Sequence, residues 1–84
     1  MNVSDRFNKL KVLDSRISRN EKWEARLRIE MDETRLAFAI AARKCDTAEM
    51  SRLGNVYAEK ASRLANVDLI LLEAKIARSR LEQR

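Results

Sequence analysis

From Leu10 onward the apolar positions Leu13, Ile17, Leu27, Met31 and Phe38 keep close to a four-three spacing, interrupted by polar Asn20, Glu24 and Thr34. Residues three and four apart share one face of an α-helix, so the pattern predicts an amphipathic helix with a defective heptad seam. Its start is expected at Ser4, whose hydroxyl can cap an unpaired backbone N–H, with Asp5 well placed against the helix dipole. The polar defects gather over residues 18–21, which allows a bend or break near Asn20.

Arg43 and Lys44 suit a helix C-terminus, and Asp46 followed three residues later by Glu49 has capping-box logic, so a turn is predicted at 45–46. Beyond it Leu53, Tyr57, Lys60, Leu64, Val67, Leu71, Ala74, Arg78 and Leu81 follow the four-three spacing without a defect. That is a seam facing another helix. Gly54 lies within it at a cost of about 1 kcal/mol relative to alanine, and the helix is expected to continue through. The predicted fold is all-α: one domain over 1–84, a long antiparallel, coiled-coil-like hairpin with helices over about 4–44 and 47–83. Two such hairpins are expected to form a four-helix bundle.

A second line supports that association. Gly54, Ala58, Ala61 and Ala65 repeat at four, three and four residues beside the first seam, and small residues let helix axes approach. Leu69, Ile70, Leu71 and Leu72 are consecutive and point all the way round the helix, and a helix apolar on every side is buried on every side. In a hairpin folded about position 45 this run faces residues 18–21, which are polar. The expected oligomer interface is therefore Gly54, Ala58, Ala61, Ala65, Leu69, Ile70 and Leu72, covered by a second copy in a homodimer or by another helical protein. Asp68, inside the apolar stretch, is expected to pair across the hairpin with Lys22, or with Arg19 one turn away, and so fix the register.

Composition narrows the function. Proline is absent, glycine occurs once, and 84 residues can bury only a thin core. There is no histidine, the commonest general acid or base at neutral pH, and one cysteine can make neither an intramolecular disulfide nor a cysteine zinc site. Asp32 and Glu33 are adjacent and point about 100° apart on a helix, so they cannot share a substrate. No phosphate-binding loop, nucleophile elbow or dinucleotide fingerprint occurs. No catalytic, cofactor or metal-ligating residue is therefore assigned, and a non-enzymatic role is expected. The longest strongly apolar runs, 36–42 and 69–72, fall far short of the roughly 20 residues of a membrane span. The N-terminus lacks the basic start and apolar stretch of a secretory signal, and a cytoplasmic location is expected.

Charge adds a second candidate surface. The net charge is +5, and residues 1–28 hold eight Lys or Arg against four acids. Lys9, Arg16, Arg19, Trp23 and Arg26 share one face of the first helix by three- and four-residue steps, with Val12 among them. Basic groups with an interleaved aromatic can grip a phosphate backbone or cover an acidic protein surface. The alternative is that they simply solvate an exposed face while Trp23 turns inward beside Leu27. Two functions follow: a protein–protein interaction module (a helical adaptor, small chaperone or inhibitor), or a small nucleic-acid-binding regulator that uses the basic stripe.

Overall fold

The computed structural model describes residues 3–83, which form two helices, α1 (Val3–Arg43) and α2 (Thr47–Glu82), folded back on each other. Ser4 lies inside the first turn of α1 rather than ahead of it, so it is not the cap the sequence suggests. Nor does α1 break near Asn20. The Asn20 amide donates to the Arg16 carbonyl oxygen at 2.8 Å and the Thr34 hydroxyl to the Glu30 carbonyl oxygen at 2.8 Å. Both polar seam residues thus satisfy themselves on the helix's own backbone four residues back. Thr34 can then be buried in the seam without a partner from α2.

The turn is built from backbone. Cys45 takes a left-handed conformation at φ 55°. Its N–H donates to the Ala42 carbonyl at 3.1 Å, and the Asp46 N–H reaches back to the Ala41 carbonyl at 3.0 Å. These two bonds make a Schellman motif, with cysteine where glycine usually stands. Asp46 then serves the next helix, its side chain accepting from the Glu49 N–H at 3.1 Å. One residue closes α1 and opens α2, which leaves only Lys44, Cys45 and Asp46 between the helices. Gly54 does not interrupt α2.

The seam packs as its spacing requires. Ile17 and Leu27 of α1 meet Val67, Leu71 and Ala74 of α2, with Leu13 and Leu64 against them. Nearer the turn Thr34, Ala41 and Leu53 are buried. Phe38 departs from the expectation: it stays 37% exposed at the edge of the seam, while Ala37 beside it is half-buried and Ala41 is buried. Leu27, at 2% exposed, is the most enclosed of the buried side chains, so the core is a single line of contacts. Polar contacts fasten its edges: Asp14–Arg78 at 2.9 Å, Glu30–Lys60 at 3.2 Å, and an Arg35–Tyr57 hydrogen bond at 2.9 Å with the guanidinium over the ring. The rod measures 63 × 14 × 14 Å, close to the roughly 60 Å expected of a 41-residue helix.

Candidate helix-docking surface

A heptad seam on one side of α2 leaves another face turned outward, about 150° round the helix. Ser51, Asn55, Ala58, Ser62 and Ala65 run along it at steps of four and three, and Leu69, Leu72, Ile76, Ser79 and Gln83 continue the same steps to the helix end. Every one of these residues is exposed and none is charged. In a chain in which 37% of residues are charged, that makes a continuous uncharged line. Its apolar part is concentrated: Leu69 is 55% exposed, Leu72 56% and Ile76 43%. The matching outer line of α1 holds Ile29 and Leu36 but is broken by Lys11, Lys22 and Asp32.

The residues expected at an oligomer interface divide between the two faces. Ala58, Ala65, Leu69 and Leu72 lie on the outer line; Ala61 is half-buried toward α1; Gly54 and Ile70 sit to either side, exposed. Of the run 69–72, only Leu71 is covered by α1. Position along the rod gave no warning of Ile76, Ser62 or Ser79. Lettering the outer positions of α2 by heptad finds them at once.

Asp68 pairs with neither Lys22 nor Arg19. Its Oδ2 lies 4.0 Å from the Arg28 guanidinium, which also meets Glu24 at 3.8 Å, and Lys22 is exposed on the far side of α1. Folding about the turn sets which residues are level, but helical phase sets which of them face α2. Glu24 is the level residue on the seam side, so two carboxyl groups meet across the interface. Hydrogen bonding to Asp68, and after it partial burial, holds the Glu24 carboxyl above its ordinary range. The Asp68 Oδ1 atom is enclosed with no hydrogen-bond partner.

The basic stripe is exposed along its whole length. Lys9, Val12, Arg16, Arg19, Trp23 and Arg26 all face solvent, with Trp23 46% exposed rather than turned into the core beside Leu27. Arg26 is engaged by Glu30 at 3.6 Å. The depression around Arg19, Lys22, Trp23 and Arg26 is lined by α1 alone, so it is a gap between side chains of one helix. A smaller notch between the helices is lined by Phe38, Leu53, Gly54 and Tyr57 among others, and a Cβ on Gly54 would meet nothing within 4 Å.

Among the described residues no three His, Cys, Asp or Glu side chains are grouped to hold a metal ion, and no helix is long and apolar enough to cross a membrane. Comparison with protein-family models, with curated proteins and with solved structures gives no match to this chain. The surfaces themselves therefore carry the functional argument.

Proposed function

We propose that the protein is a non-enzymatic helix-docking module, an adaptor, small chaperone or inhibitor. In this reading it presents the outer line of α2 to a second helix, of its own kind or of another protein, and completes a four-helix assembly. The carrying observation is that line: ten uncharged, exposed positions in heptad register, with three half-exposed large apolar side chains grouped at Leu69, Leu72 and Ile76. Contiguous exposed apolar surface of this kind marks an interaction site. Replacing these three by Gln leaves the α1–α2 seam untouched, so the hairpin should stay helical. The variant should lose the associations of the unaltered protein, measured by cross-linking in cells of its own host. Retention of the same cross-linked products by the variant would reject this face.

The basic stripe supports a second reading. Lys9, Arg16, Arg19 and Lys22 have no ion-pair partner among the described residues, and Trp23 is accessible between Arg19 and Arg26. Such a face can neutralise nucleic-acid phosphates without reading bases, and its affinity would fall steeply between low and moderate salt. Helix docking through an apolar face would change far less.

A further inference from the structure

Resting on the docking reading above, we infer that the helix seated on α2 is the α2 of a second copy, antiparallel, with the two-fold axis beside Ile70 and Leu71. Leu69 then packs on Leu72 of the partner subunit and Ala65 on Ile76 of the partner subunit, each contact made twice by symmetry. The large residues close on one another and on alanine at the centre, while Ser62 meets Ser79 of the partner subunit toward the rim.

Charge selects this arrangement. Glu59, Glu73 and Arg80 line one border of the outer face, and Asp68 and Lys75 the other. In the proposed register Glu59 lies beside Arg80 of the partner subunit and Asp68 beside Lys75 of the partner subunit, opposite charges on both borders. A parallel pair would instead set Asp68 against Glu73 of the partner subunit and Lys75 against Arg80 of the partner subunit. Sliding the antiparallel pair by a heptad toward the turns sets Glu59 against Glu73 of the partner subunit and Asp68 against its own copy. Sliding it the other way sets Lys75 against its own copy and Glu73 likewise. Each alternative places like charges level with one another.

The groups required are available. Among the described residues Glu73, Lys75 and Arg80 take part in no ion pair, though Lys75 lies near enough to Glu24 to act on its charge, and Glu59 is engaged only by Arg63 on its own helix; Asp68 is held loosely, 4.0 Å from Arg28, and its side chain is 44% exposed. Net charge agrees. α2 is nearly balanced, with six Lys or Arg against five acids, whereas α1 holds ten against seven. Pairing through α2 keeps the basic helices on the outside of the assembly, apart from each other. Because inner and outer lines both repeat every seven residues, the outer line stays opposite α1 along the whole rod instead of drifting round it.

The test uses the full chain with Cys45→Ser and either Ser62→Cys or Ser79→Cys. Sedimentation equilibrium at micromolar concentration should give a dimer. A short thiol cross-linker should join the Ser62→Cys chain to the Ser79→Cys chain in a mixture and join neither to itself, because like positions stand about 25 Å apart along the axis. Glu59→Arg or Arg80→Glu alone should weaken the dimer about tenfold, and the two together should restore it. Cross-linking of the Ser62→Cys chain to itself, or no restoration by the charge swap, would overturn the register. A fully helical monomer would overturn the second copy as occupant. The docking reading would then stand or fall separately, on whether the triple Gln variant loses its cross-linked products in host cells.

Discussion

Cys45 offers the sharpest test of the turn. Among the described residues it is the only non-glycine with positive φ, at 55°, and its side chain is free and exposed. A β-carbon in the left-handed region costs roughly 1–2 kcal/mol, which glycine escapes. Glycine in turn gives up about 0.5–1 kcal/mol through the greater freedom of the unfolded chain. The difference leaves Cys45→Gly more stable by about 0.5–1 kcal/mol. For a domain of this size that raises Tm by about 4 °C. Cys45→Ala keeps the β-carbon and the strain, so its Tm should stay with the parent. Cys45→Val adds a branched β-carbon and should lower it. The assay is thermal melting by circular dichroism at one fixed protein concentration, since association stabilises by mass action. If the Gly and Ala variants melted together, strain at Cys45 would not be limiting the hairpin and the reasoning would fail.

Glu24→Gln should stabilise the protein at neutral pH by supplying a donor to the unpartnered Asp68 oxygen. A carboxyl held above its ordinary range binds its proton more tightly in the folded state, so stability falls as pH rises from the usual carboxylate range through the raised value. The gain from Gln should therefore grow from acid to neutral pH in parallel melts, and a constant or negative difference would refute the pairing. Gly54→Ala should add about 1 kcal/mol in chemical denaturation, because a Cβ there meets open space; destabilisation would mean that another helix approaches at that point. Leu71→Asp places an unpaired carboxylate in the seam and should unfold the hairpin, seen as loss of helical ellipticity at neutral pH. Changing Arg16, Arg19 and Arg26 together to Glu should leave helicity and association intact, and should abolish electrophoretic retardation of DNA or RNA if the basic stripe binds either.

The hairpin was legible because periodicity speaks directly about faces. Leu53, Val67, Leu71 and Ala74 are buried where the four-three rule puts them. What it missed has physical causes. Asn20 looked like a break because its side chain is polar, yet an amide can bond to its own helix. Level along the rod alone points Asp68 to Lys22, whereas helical phase delivers Glu24 and Arg28. The stripe from Lys9 to Arg26 was found on one exposed face because its members differ sharply from their neighbours in charge. The outer line of α2 is defined by what it lacks, and only its four apolar and small-residue members stood out in advance.

The slenderness of the rod has a hydrodynamic consequence. Its radius of gyration is 18.8 Å, against about 12 Å for a compact chain of 84 residues, and a compact protein would need about 280 residues to match it. A lone hairpin will therefore elute from a sizing column ahead of a compact protein of its own mass. Side-by-side pairing through α2, staggered by about 18 Å, thickens the particle more than it lengthens it. Frictional drag then rises by a smaller factor than mass does, so in sedimentation velocity the dimer should run distinctly faster than the monomer.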